Sequence, residues 1–79
     1  MKNEKLYEIL ESMAIKASIA NMAKADGTYK NMRECPAYSE LVGMEHILKI
    51  MGIDFEFEFN EDVTRMTAIK ARDIFVAIA

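Results

Sequence analysis

Residues 52–62 read GIDFEFEFNED, and the fold turns on how they are read. Before Gly52 the apolar residues recur every three or four positions. After it they recur every second position. Ile53, Phe55, Phe57 and Phe59 fall on one side, Asp54, Glu56 and Glu58 on the other. That alternation predicts a strand with one buried and one wet face. A single strand leaves its backbone groups unpaired, so it requires neighbours.

The segments that follow supply them. VTRMTAIK (63–70) and DIFVAIA (73–79) are rich in Val, Ile, Thr and Phe, residues that favour strands. Pairing Phe57 with Met66 and Phe55 with Ala68 keeps the aromatic face apolar, and the same register sets Glu58 opposite Arg65. The expected fold is α+β: two helices followed by a small antiparallel meander. The competing arrangement is helix–helix–strand–helix, with NED (60–62) capping a terminal helix and the strand paired across a dimer.

Working back from Gly52, this residue stands where a left-handed helix C-cap is expected. The helix before it runs from about Pro36 to Met51, and proline suits its first turn. Leu41, Met44, Ile47, Leu48 and Met51 are its predicted buried face. A first helix covers about Glu4 to Ala25, with Asn3 as its cap. Its main stripe is Leu6, Ile9, Leu10, Met13, Ala17 and Ala20. Ile15, Ile19 and Met22 form a second stripe off that face, and a helix apolar on two sides needs two partners. The connector KADGTYKNMRECPAY (24–38) opens on an Asp26-Gly27 turn and carries Tyr29, Met32 and Tyr38 as apolar anchors.

Seventy-nine residues make one domain, residues 1–79, with little core to spare. Chains of this size gain stability from disulfides, metals or oligomerisation. Cys35 is the only cysteine, so an intrachain disulfide is excluded and no thiolate metal set is available. An apolar fraction of 52% then favours self-association as a homodimer or higher oligomer. The N-terminal MKNEKLYEILE is charged throughout, unlike a signal peptide. The longest apolar run, IFVAIA (74–79), is far short of a bilayer span. A cytoplasmic location is the expectation, with no membrane partner.

The net charge of −3 is unevenly spread: residues 34–62 carry eight acids against Lys49 alone. An acidic centre argues against direct nucleic-acid binding, which needs a basic surface. The acids of the alternating stretch have two readings. They can be a solvated face that keeps a phenylalanine-rich strand soluble. They can also recognise a basic protein, because side chains two apart on a strand are about 6.8 Å apart, close to a phosphate spacing. On that reading Asp54, Glu56, Glu58, Glu61 and Asp62 form the partner-binding row of an inhibitor or nucleic-acid mimic.

Catalytic readings are poorly supported by the residues. Paired catalytic carboxylates need a cleft that raises one pKa, not an open strand. No calcium-loop pattern is present. His46 is the only histidine and lies on the second helix, too isolated to define a metal set or a Cys–His dyad with Cys35. The expectation is a non-enzymatic interaction or accessory protein without cofactor or metal. The alternative is a small protein binding a nucleotide-like anion, with Tyr29 and Tyr38 stacking and Lys24, Lys30 and Arg33 supplying charge. No glycine-rich phosphate loop accompanies those residues.

Overall fold

A computed structural model describes residues 3–79. Helix α1 (Asn3–Ala25) leads through a single 3-10 turn (Met32–Glu34) into α2 (Pro36–Ile50). Three strands follow: β1 (Glu56–Phe59), β2 (Met66–Ala71) and β3 (Ile74–Ala77). They form one antiparallel sheet in the order β1-β2-β3. The fold is the expected α+β arrangement of two helices and a meander, and residues 63–79 do not form a terminal helix.

Both helices end as the glycines require. At α1, Thr28 N–H donates to the Ala23 carbonyl (3.0 Å) and Gly27 N–H to that of Lys24 (3.2 Å), with Gly27 at φ 81°. At α2, Ile53 N–H donates to Leu48 (2.9 Å) and Gly52 N–H to Lys49 (3.0 Å), with Gly52 at φ 74°. This is the Schellman pattern, which needs a left-handed residue after the helix. At α2 it also brings buried Ile53 against buried Leu48. The other end of α1 departs from expectation. Asn3 is already helical, so the cap position falls outside the described residues.

Helix α1 is the centre of the molecule, packing on α2 along one side and on β2 and β3 along another. Leu6, Leu10, Met13, Ala17 and Ala20 on its main stripe are fully buried. Leu41 and Leu48 of α2 and Met66, Ile69 and Ala71 of β2 close the core around them. Because α2 packs on α1 and the 3-10 turn rather than on the strands, its buried face is narrower than its apolar pattern. Leu41 and Leu48 are buried and Met44 is half-buried, but Ile47 and Met51, predicted inside, are exposed.

The strand register also differs from expectation. Phe57 lies opposite Ile69, not Met66, and Phe59 lies opposite Met66. Glu58 lies opposite Ala68, not Arg65. Phe55 precedes β1 and does not pair with Ala68. Two features set the observed register. The β1–β2 turn closes two residues later than the expected register requires, with Asn60 N–H donating to the Arg65 carbonyl (3.2 Å). Strand β2 then carries an extra residue at Thr67, opposite the step from Glu58 to Phe59. Met66 and Ile69 are three apart, which in a regular strand would place them on opposite faces. The bulge lets both be buried.

One side chain pins that bulge. Asn21 on α1 is buried, and its Nδ2 donates to the Met66 carbonyl (2.8 Å) while its Oδ1 accepts from the Met66 N–H (3.0 Å). The amide thus serves Met66 as a neighbouring strand would. Within the turn before it, Asn60 Oδ1 accepts from the N–H groups of Thr64 (2.8 Å) and Arg65 (3.1 Å). That turn closes at the expense of Val63, a β-branched residue held at φ 55°. The β2–β3 turn similarly holds Arg72 at φ 55° in a two-residue connection where glycine is the usual occupant.

Candidate interaction surface

The second stripe of α1 finds no partner among the described residues. Ile15, Ile19 and Met22 are 59%, 49% and 64% exposed. Beside them runs β3, an edge strand, and its Phe75 is 58% exposed. Between helix and strand lies a groove of about 480 Å³, lined by Tyr7, Ile15, Ile19, Phe75 and Ala77 among others. Ser18 lies at its rim, its hydroxyl donating to the Ala79 carbonyl at 3.0 Å.

The edge beside this groove carries unsatisfied main-chain groups. In an antiparallel ladder, hydrogen-bonded and non-bonded pairs alternate. Ile78 N–H donates to the Thr67 carbonyl at 2.9 Å. In the register of β2 and β3, Ile74 and Val76 share its orientation toward β2. Phe75 and Ala77 therefore turn their N–H and C=O groups toward the open edge. From Ile74 to Ala79 the chain has no charged side chain, none of the lysines or inward charges that protect natural edges.

The opposite edge is protected. On β1, Glu56 and Glu58 project to the outer face, where Lys70 of β2 meets them at 3.1 and 3.8 Å. The hydrogen bond and charge of Glu56, and then the charge of Glu58, hold the Lys70 ammonium above its ordinary pKa. Lys70 fills the place expected for Arg65, which instead closes the β1–β2 turn opposite Asn60. Asp54 lies just before the strand and lines a shallow groove with Lys70 and Arg72. Glu61 and Asp62 are exposed in the β1–β2 turn. The sheet's acidic row thus contains a lysine.

The residues of the anion-binding alternative are dispersed over several settings. Tyr29 and Tyr38 are half-buried and pack against the core. Lys30 and Arg33 are exposed on the connector. Lys24 lines a groove with Met22, Thr64 and Arg65. Tyr38 lines a separate cleft of about 180 Å³ between α2 and the sheet, shared with Glu45, Phe57, Phe59 and Met66. Burial raises the pKa of Glu45 there, partly offset by Lys49. Neither that cleft nor the Asn21 contact is legible from sequence spacing, since each joins residues far apart in the chain.

Comparison with protein-family models, curated proteins and solved structures gives no match. Function is therefore read from the chain's own surfaces. Among the described residues, no helix is long and apolar enough to cross a membrane.

Proposed function

We propose that this chain is a small non-enzymatic interaction protein that works as a self-associated unit. The observation that carries this reading is the coincidence of an unpartnered apolar helix stripe with an open, uncharged sheet edge. Ile15, Ile19, Met22 and Phe75 would each leave water on association, and burial of apolar surface is the main drive for assembly. At about 200 Å² for a large side chain, these four and Tyr7 offer on the order of 500 Å². A standard interface buries about 800 Å² per partner. The main-chain edge and the alanines beside it supply much of the remainder.

The acidic face has a supporting role in this proposal. Glu56 and Glu58 around Lys70 make the outer sheet face solvated, and their charge discourages pairing at the β1 edge. A cytoplasmic location is part of the same reading, supported by a single thiol, Cys35, which is buried. Sedimentation equilibrium at micromolar concentration tests the proposal. The expected mass is at least twice the 9.0 kDa of the chain. A clean monomer at that concentration refutes it.

A further inference from the structure

We infer that two copies join through β3, edge to edge about a two-fold axis at Val76, making one continuous six-stranded sheet with the two α1 helices packed side by side. This rests on the self-association proposed above and specifies its partner and register. The outward-facing groups narrow the register. Phe75 and Ala77 both present N–H and C=O to the open edge. Pairing Phe75 of one copy with Ala77 of the other uses all of them within β3 while keeping charged Asp73 out of the ladder. The reciprocal pair follows from the symmetry, and Val76 faces its own counterpart as the non-bonded pair on the axis.

The geometry of the helices agrees with that axis. Helix α1 packs on both β2 and β3, and strands are about 4.8 Å apart. If α1 lies midway over the two strands, the two-fold sets the α1 axes about 10 Å apart, the distance at which helices pack. Ile15, Ile19 and Met22 then fill the seam above Val76. A two-fold also runs the helices antiparallel, which suits their charge. Glu4, Glu8 and Glu11 lie with Tyr7 on the β3 side of the first half of α1. Lys24 lies beside Met22 in the second half, where Lys16 is turned away to Glu40 of α2. Acidic ends therefore meet basic ends.

A second copy fits the β3 edge better than the β1 edge for the same reason. Two β1 strands would bring Glu56 and Glu58 beside their own counterparts, and like charges across a ladder destabilise it. No such conflict exists on β3, which is uncharged.

Two substitutions test the register. Val76→Cys places thiols on the axis in a non-bonded pair, where Cβ atoms are closest. Under mild oxidation it is expected to cross-link at least tenfold faster than Ile50→Cys, a control on the exposed face of α2. Ala77→Pro removes an N–H that β2 does not use, a position where edge strands tolerate proline. It is expected to keep the native circular dichroism and weaken the dimer at least tenfold. A wild-type dimer with slow Val76→Cys cross-linking, and an Ala77→Pro variant that folds and dimerises normally, would overturn this mode of pairing but leave self-association standing. A wild-type chain that is monomeric throughout would overturn both. Should Ala77→Pro fail to fold, the cross-linking rates alone decide.

Discussion

Asn21 carries more of the fold than its place on an otherwise apolar helix stripe suggests. Its amide is the partner of both main-chain groups of Met66, at 2.8 and 3.0 Å, in a site where Asn21 is only 7% exposed. Asn21→Ala removes both bonds and leaves the Met66 N–H and C=O facing a small cavity. Each bond is worth about 1 kcal/mol net, and the loss rises to about 1–3 kcal/mol for each group that stays buried where water cannot replace the partner. A loss of about 3 kcal/mol is expected, a large part of the roughly 4–12 kcal/mol available to a chain of this length. Urea unfolding followed by circular dichroism, at fixed protein concentration because association adds to stability, should show the midpoint fall by at least 1 M. Asn21→Asp adds a directional check. A protonated carboxyl can both donate and accept, and burial beside a carbonyl raises its pKa in the folded state. Its deficit relative to the wild type should therefore shrink as pH falls through the raised folded pKa. A loss below about 1 kcal/mol for Asn21→Ala, within the usual range of a surface change, would refute the reasoning.

Three further perturbations follow from the same structure. Val63→Gly relieves a β-branched residue at φ 55° on an exposed turn and should raise stability by about 1 kcal/mol, measured as a shift in denaturation midpoint. Glu45→Gln should stabilise the chain at neutral pH and make little difference in acid. The sign follows from the raised carboxyl pKa of Glu45 in the folded state, which costs stability as pH rises from the unfolded value through the folded one. Reversing both Glu56 and Glu58 to lysine should leave the fold intact by circular dichroism, with a small loss from repulsion of Lys70. Unfolding of that variant would show that the acidic face is structural.

The strongest signals in the sequence were those that depend on near neighbours in the chain. Gly52 announced the end of α2, and the change of period after it announced a sheet, because helix caps and strand pleats are local geometry. The second stripe of α1 was equally plain, and its residues Ile15, Ile19 and Met22 are exposed. What the spacing did not contain was the bulge at Thr67. The register drawn through Met66 and Ala68 puts Glu58 opposite Arg65. The wider β1–β2 turn and the extra residue together set it opposite Ala68, within reach of Lys70 instead. That bulge is held from outside the sheet by Asn21, at a sequence separation of 45 residues, so no local pattern could reveal it. The outer face of α2 failed for a related reason. Ile47 and Met51 have the right period to be buried, but the side of α2 turned to the sheet carries Tyr38, Leu41 and Glu45, and no element among the described residues covers Ile47 or Met51.

The central claim concerns the β3 edge, and amide hydrogen exchange measured residue by residue against protein concentration tests it most directly. Phe75 and Ala77 have N–H groups that β2 does not use, so in a monomer they should exchange fast. As concentration rises through the dissociation constant, their exchange should slow at least tenfold. Phe57 on the β1 edge provides the internal control, because its N–H also points away from β2 by the same alternation and should stay fast. Protection of Phe75 and Ala77 without protection of Phe57 is the result expected for pairing through β3. Fast, concentration-independent exchange at Phe75 and Ala77 in a sample shown to be dimeric would contradict it.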